Sequence, residues 1–198
     1  MKKRCLCLLT VLLLVLSMAA CSSEEPAEKP DDEAMATETG KILVAYFSAT
    51  GNTRAVAEQI ADTKGATLFE IVPEQPYTED DLNWRKDGSR TTEEQNDDSA
   101  RPAISSKVEN IDEYDTVFLG YPIWFGQAPK IISTFLESYD FSGKTIIPFC
   151  TSGGSGIGSS ATELHGLVAD DAVWQPGTRF PTDPSKNEIE EWVNSLVL

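Results

Sequence analysis

The chain has 198 residues and is strongly acidic, with 32 Asp and Glu against 16 Lys and Arg and a formal net charge of −16. This charge argues against nucleic acid as a partner, because nucleic-acid binding requires clustered basic side chains. It is compatible with a basic protein partner and with electrostatically steered encounters. The length of the chain after residue 40 suits one folded domain.

Residues 1–20 have the pattern of a targeting segment rather than of a folded element. Lys2–Arg4 precede an apolar stretch over residues 6–16, which is short for a membrane span of about 20 residues. Met18-Ala19-Ala20-Cys21 resembles a bacterial lipobox, which implies cleavage before Cys21 and a diacylglycerol on its sulfur. The alternative is ordinary secretion with an incidental Cys21. We therefore expect an extracytoplasmic protein that is lipid-anchored to a bacterial cell membrane.

Residues 21–40 are expected to form a flexible acidic tether, because they are rich in Ser, Pro and carboxylates and show no apolar periodicity. The folded domain is then predicted over residues 41–198. Cys150 is the only cysteine of that domain, so no disulfide can form within it. We interpret Cys150 as a small buried hydrophobe, and a reactive thiol is the alternative.

The domain begins with a predicted strand, helix and second strand. Lys41–Phe47 is almost wholly apolar, Thr53–Thr63 has a helical pattern, and Thr67–Val72 is apolar again. The turn between the first strand and the helix consists of Ser48, Ala49, Thr50, Gly51, Asn52 and Thr53. Backbone N–H groups and the helix dipole at such a turn favour a phosphate group. Neither P-loop nor G-x-G-x-x-G spacing is present, which favours a mononucleotide; an ordinary capped turn is the alternative.

A long polar stretch over Glu74–Asn110 follows. Because long bare loops are uncommon in compact domains, we predict short helices near Glu79–Lys86 and Ser105–Ile111. Tyr77 and Trp84 either fill the core beneath this stretch or form part of a ligand wall, and we favour the first interpretation for both.

Two further loops follow predicted strands and suit a flat ligand. A strand over Thr116–Gly120 leads to an aromatic segment formed by Pro122, Ile123, Trp124, Phe125 and Gly126. After a helix over Ala128–Tyr139, a strand over Lys144–Phe149 leads to a loop of small residues, namely Thr151, Ser152, Gly153, Gly154, Ser155 and Gly156. The alternatives are a hairpin packed on its own sheet and a plain flexible loop.

The C-terminal part completes the predicted sheet. A helix over Ser160–Val168 carries His165, which we interpret as a surface or half-buried residue rather than a base. Ala172–Trp174 and Thr178–Phe180 form an interrupted fifth strand, and a helix over Lys186–Leu196 closes the domain. This alternation predicts a doubly wound α/β fold with a five-stranded parallel sheet, in which the loops after strands one, three and four leave one edge.

The three loops, in this order, resemble those of flavodoxins, and of a bacterial flavodoxin-like group with Tyr-Pro-Ile-Trp and Gly-Gly-Ser-Gly loops. The resemblance covers nearly all of residues 41–198. It implies the strand order 2-1-3-4-5 in a three-layer sandwich, with FMN as cofactor. It also implies that residues 48–53 hold the phosphate, that residues 122–126 flank the flavin ring, and that residues 151–156 close the other side.

One departure from the family concerns the second face of the flavin. Many flavodoxins carry a stacking tyrosine in the last loop, and none is present here. Tyr77, Trp84 or Trp124 would have to replace it, or one face of the flavin would stay open to a planar substrate.

The sequence therefore predicts a membrane-anchored FMN protein that carries electrons through a flavin edge near Trp124. No catalytic side chain and no metal are expected, because the chain shows neither a Ser/His/Asp set nor a Cys/His cluster. The expected partner is a redox protein with a basic docking surface. The alternatives are an NAD(P)H- or quinol-dependent flavin or quinone reductase on the same fold, and a binding lipoprotein that has lost FMN.

Overall fold

A computed structural model describes residues 40–198 of the chain. The predicted signal peptide, the lipid site at Cys21 and nearly all of the predicted tether lie outside these residues. No helix within residues 40–198 has the length and apolar character needed to cross a membrane.

The centre of the fold is a parallel sheet of six strands, which are two to nine residues long. They are β1 Lys41–Tyr46, β2 Thr67–Glu70, β3 Tyr114–Pro122, β4 Thr145–Thr151, β5 Val173–Trp174 and β6 Thr178–Phe180. The order is β2-β1-β3-β4-β5, and β6 also pairs with β4. Since β5 pairs with the beginning of β4 and β6 with its end, the two form the interrupted fifth strand. The predicted order 2-1-3-4-5 is confirmed.

Helices cover both faces of this sheet. The α-helices are α1 Asn52–Lys64, α2 Arg90–Asn96, α3 Lys130–Glu137 and α4 Lys186–Ser195, and shorter 3-10 helices span Ile111–Glu113 and Thr162–Leu167. The helix expected over Ser160–Val168 is a 3-10 helix over Thr162–Leu167. Within α1 the buried side chains include Val56 and Ile60, at helical spacing.

The two helices predicted in the polar stretch were wrong in position. Residues 79–86 form turns, in which the Asp81 carboxylate accepts hydrogen bonds from the Thr78 backbone and hydroxyl and thereby offers the backbone a local alternative to a helix. Residues 105 and 106 instead bond to Val72, two residues after the end of β2. The α-helix of this stretch is α2, which begins after Ser89.

The core lies on both sides of the sheet, because alternate residues of the central strands point to opposite faces. Leu43 and Ala45 pack with α3, whereas Val44 and Tyr46 pack with α1 and α4. Cys150 is fully buried, as predicted, and burial raises the pKa of its thiol to about 12. All strand pairings are parallel, so the predicted loops leave the carboxyl edge together.

Candidate functional site

A cavity of about 540 Å³ lies at the carboxyl edge of the sheet. Its lining comes from all three predicted loops and from the polar stretch, and consists of Ala49, Thr50, Leu82, Trp84, Thr91, Pro122, Ile123, Trp124, Phe125, Gly126 and Ser155. The volume falls within the range of about 300–1,000 Å³ that is common for small-molecule sites. The loops that the sequence singled out therefore meet at one place.

The first loop presents uncapped backbone donors at the start of α1. Gly51 precedes the helix with a φ of 89°, a conformation that glycine adopts without a steric penalty. No side chain caps the helix, and no acidic residue lies in its first turn. The first amides of α1 are thus free of the side-chain partners that would compete with an anion. Thr50 lines the cavity, and its hydroxyl oxygen accepts a hydrogen bond from the side-chain amide nitrogen of Asn52 at 3.3 Å.

Two predicted site residues join the loops from below the cavity surface. The hydroxyl groups of Thr53 and Thr151 are buried and lie 2.8 Å apart, and neither residue is part of the cavity lining. The Ile123 N–H donates to the Thr151 carbonyl oxygen at 3.0 Å. Thr151 therefore contacts both the first and the second loop, at the beginning of the third.

The second loop is a tight turn that brings two aromatic side chains to the cavity. Trp124 and Gln127 exchange two backbone hydrogen bonds, of 3.0 and 2.9 Å. Phe125 and Gly126 between them have φ values of 50° and 83°, and two positive φ values are the mark of a type I′ turn. This conformation suits Gly126 but costs a bulky residue about 1–2 kcal/mol. Phe125 bears that cost, and the residue is 52% exposed at the cavity.

Gln95 of α2 braces this turn, a role that the sequence did not indicate. Its amide nitrogen donates to the carbonyl oxygens of Trp124 and Ala128, at 3.3 and 3.2 Å. Its amide oxygen accepts from the Lys130 N–H at 3.2 Å. The side chain is buried, so all three bonds are shielded from water. Its partners are 29 to 35 positions away in the chain, beyond the reach of local sequence patterns.

The ring of Trp124 rests on a second layer of aromatic side chains. It meets Phe47 edge-on at 5.5 Å and Tyr77 at 5.2 Å between ring centroids. The Tyr77 hydroxyl donates to Glu94 at 2.7 Å, and the Arg90 guanidinium lies 3.9 Å from the Tyr77 ring centre. Burial raises the pKa of Tyr77 far above its usual value. Tyr77 thus packs against the core, as predicted.

Trp84 behaves differently from Tyr77. Its side chain is 62% exposed and lines the cavity, and the Arg85 guanidinium lies 4.5 Å from its ring centre. The interpretation of Trp84 as a core plug was therefore wrong, and the alternative of a ligand wall describes its place. The reason is that the turns over residues 79–86 direct the Trp84 ring towards the cavity rather than into the core beneath the polar stretch.

The third loop contains glycines that internal packing does not require. A Cβ atom on Gly153 or Gly154 would meet nothing within 4 Å, and one on Gly156 would meet only the Gly158 nitrogen at 4.0 Å. None of these three has a positive φ. Their lack of side chains thus leaves open space beside Ser155, which does line the cavity. Such space is what a closely approaching ligand needs.

The predicted site residues divide into two groups. Those that line the cavity are Ala49, Thr50, Pro122, Ile123, Trp124, Phe125, Gly126 and Ser155. Those that lie outside its lining are Ser48, Gly51, Asn52, Thr53, Thr151, Ser152, Gly153, Gly154 and Gly156. Leu82 and Thr91 line it without having been predicted.

Two other expectations concern residues away from the cavity. His165 is exposed, as predicted, and stacks on Trp174 with ring centroids 4.5 Å apart. In the part of the chain that the structure describes, no group of three or more His, Cys, Asp or Glu side chains is placed to hold a metal ion.

Comparison with known proteins identifies one family model and several solved structures that are similar to this chain. Residues 41–196 match the family model described as Flavodoxin. A candidate flavoprotein from Bacteroides eggerthii is 49% identical, covering 78% of this chain and 96% of its own, with a TM-score of 0.72. A second candidate flavoprotein, from Bacteroides uniformis, is 43% identical, covering 79% and 99%, with a TM-score of 0.75.

A more distant structure shares the fold. It is a flavoprotein in complex with FMN from Lactobacillus acidophilus, 23% identical over 77% of this chain and 98% of its own, with a TM-score of 0.58. Among curated proteins, none matches the chain.

Proposed function

The chain belongs to the flavodoxin family, and from this premise we propose that residues 41–198 bind FMN and carry electrons through a partly exposed flavin edge. The observation that carries the proposal is that loops from three strands and two tryptophans line one and the same cavity. An open α/β sheet binds ligands at this edge, where the strand order reverses between β1 and β3.

The phosphate of FMN would lie at the start of α1. The uncapped amides of the first helical turn and the hydroxyl groups of Ser48 and Thr50 are donors, and the helix dipole favours an anion there. Gly51 supplies the left-handed backbone that turns the chain into the helix. No lysine is needed, because a monophosphate carries less charge than a triphosphate.

The flavin ring would lie along the aromatic part of the cavity. Trp84 and Trp124 belong to its lining, Phe125 stands at its rim, and the third loop leaves room for a close backbone approach. FMN, when bound, supplies one- or two-electron redox chemistry. The chain's own residues bind and orient the ring, exclude water from one side and leave an edge accessible.

The surroundings of the cavity favour a basic redox partner. The segment that supplies Leu82, Trp84 and Thr91 also carries exposed acids, namely Glu79, Asp80, Asp87, Glu93, Asp97 and Asp98. Such a surface attracts a positively charged protein and disfavours nucleic acid.

We further propose that lipid on Cys21 anchors the protein at the outer face of a bacterial cell membrane, where an extracytoplasmic partner would meet it.

Reconstitution tests the cofactor. The apo-protein is incubated with FMN or with riboflavin, which lacks the phosphate, and free flavin is removed by gel filtration. We expect a yellow protein with one FMN per chain and little retained riboflavin. A protein that retains neither flavin would be a flavodoxin-shaped protein without FMN. Equal retention of FMN and riboflavin would contradict a phosphate site at the start of α1.

A second candidate function is a flavin or quinone reductase, and the exposure of Trp84 and Phe125 at the cavity favours it, since two exposed rings suit a planar second substrate. Anaerobic mixing of the FMN-loaded protein with NADPH, or with a reduced quinone, separates the two functions. Rapid bleaching of the flavin by either small molecule supports the reductase. No bleaching, with rapid reduction by dithionite, supports the electron carrier.

A further inference from the structure

Arg179 of β6 lies at the base of the third loop. It pairs with Cys150 in the sheet register, and its Nη2 donates to the Ser152 carbonyl oxygen at 2.5 Å. The Ser152 N–H in turn donates to the carbonyl oxygen of Phe180, the next residue of β6. The place where the third loop leaves the sheet is therefore fixed from below by β6.

The charge of Arg179 has no counter-ion in the described structure. Arg54, Arg90 and Arg101 each form a salt bridge with a glutamate, whereas no salt bridge within residues 40–198 includes Arg179. Its Nε atom is buried and has no hydrogen-bond partner. Burying part of a guanidinium cation without a compensating charge is costly. A hydrogen bond to one carbonyl oxygen offsets only a part of that cost.

The hydrogen bond from Arg179 also changes the loop that it holds. A cation bonded to the Ser152 carbonyl oxygen polarises the peptide group between Ser152 and Gly153, which strengthens the Gly153 N–H as a donor. That N–H has no partner within residues 40–198. Gly153 is exposed and close in sequence to Ser155 of the cavity lining. The loop thus carries a strengthened donor that a ligand can use.

We propose that Arg179 is a positioning residue that favours reduced FMN over oxidised FMN by acting through the Ser152–Gly153 peptide. The inference rests on the proposed function. Full reduction of FMN takes up two electrons and, when one proton is added, leaves one further negative charge on the ring. The net negative charge of the protein disfavours that added charge, and the Arg179 cation favours it through the Ser152–Gly153 peptide. The electrons come from the redox partner, or from dithionite in the test.

Two substitutions separate the charge of Arg179 from its hydrogen bond. Arg179→Gln retains a donor for the Ser152 carbonyl oxygen but removes the charge, and Arg179→Lys retains the charge. We expect Arg179→Gln to lose about tenfold in affinity for reduced FMN relative to oxidised FMN, which lowers a two-electron midpoint potential by about 30 mV. Arg179→Lys should stay within about threefold of the wild type.

The matched control is Arg101→Gln, which removes the same charge from an arginine paired with Glu137. It should leave the midpoint potential unchanged, which shows that net charge alone is not the cause. The measurements are the affinity for oxidised FMN by fluorescence titration, the midpoint potential by spectroelectrochemistry, and thermal unfolding of each apo-protein.

The outcomes distinguish this inference from the function on which it rests. An unchanged potential for Arg179→Gln, or equal loss of affinity for both redox forms with a lower unfolding temperature, assigns Arg179 a structural role only and overturns the inference. If Arg179→Gln does not fold, Arg179→Met replaces it: a lowered midpoint potential supports the inference, and an unchanged one overturns it. A tenfold loss of relative affinity for reduced FMN in Arg179→Lys also overturns it. Failure of the wild-type protein to bind FMN overturns the proposed function itself.

Discussion

The hydroxyl oxygens of Thr53 and Thr151 lie 2.8 Å apart in a buried hydrogen bond that joins the start of α1 to the end of β4. These two residues are separated by 98 positions in the chain, yet each begins or ends one of the loops that meet at the cavity. The bond therefore fixes the position of the first loop relative to the third.

Replacing both threonines should cost less than the sum of the two single replacements. Thr53→Val leaves the Thr151 hydroxyl buried without a partner, which should lower the free energy of unfolding by about 1–3 kcal/mol. The double substitution to valine removes both polar groups, so we expect it to cost less than the sum of the single changes. Urea unfolding of the four proteins measures this cycle, and additive losses would show that the two hydroxyls do not interact.

Thr50→Ala tests the phosphate site at α1. If the Thr50 hydroxyl donates to the phosphate of FMN, its removal should weaken FMN binding by roughly 1 kcal/mol, or about fivefold. Thr162→Ala, which removes an exposed hydroxyl on a 3-10 helix away from the cavity, is the control and should bind FMN normally. Fluorescence titration measures both, and an unchanged affinity for Thr50→Ala would count against this assignment.

Gln95→Met tests the brace beneath the aromatic turn. The change keeps the length of the side chain but removes three buried hydrogen bonds to the turn and to α3. We expect a lower free energy of unfolding, by about 1–3 kcal/mol, together with weaker FMN binding. Gln59→Met removes bonds to Thr63 and Glu190 elsewhere, so it should affect stability alone. Equal effects of the two variants on FMN binding would refute a specific role for Gln95.

Substituting Phe125 should raise the stability of the protein while weakening FMN binding. Phe125→Asn places a residue that tolerates positive φ in the turn, so the free energy of unfolding should rise by about 0.5–1 kcal/mol. FMN binding should weaken because the exposed ring is lost from the cavity. Phe125→Ala loses the same ring but keeps much of the strain, which makes it the matched variant. The strain argument fails if Asn and Ala give the same stability in thermal unfolding.

Cys150 should be chemically inert in the folded protein. Burial raises its pKa from 9.0 to about 12, so the thiolate is scarce at pH 8 and a thiol reagent should react only after unfolding. The unfolded state loses the thiol proton first, so the contribution of Cys150 to stability is present below pH 9 and falls as the pH rises towards 12. Cys150→Ala should flatten this part of the stability profile. Rapid labelling of the native protein would contradict the burial.

The sheet and the meeting of the loops were predictable because their causes are local. Continuous apolar runs such as Lys41–Phe47 specify buried parallel strands, and parallel strands place their following loops at one edge. The polar stretch was not predictable in the same way. Its path depends on distant partners, as with Gln95 and Trp124, and on the local turn around Asp81 that turns Trp84 towards the cavity.

A crystal structure of residues 41–198 with FMN is the sharpest test of FMN binding at the carboxyl edge of the sheet. We expect the phosphate within hydrogen-bond distance of the first backbone amides of α1 and of Thr50, and the flavin ring in contact with Trp124. We also expect the Gly153 N–H near the polar edge of that ring. FMN bound outside the cavity, or the phosphate away from α1, would contradict this proposal.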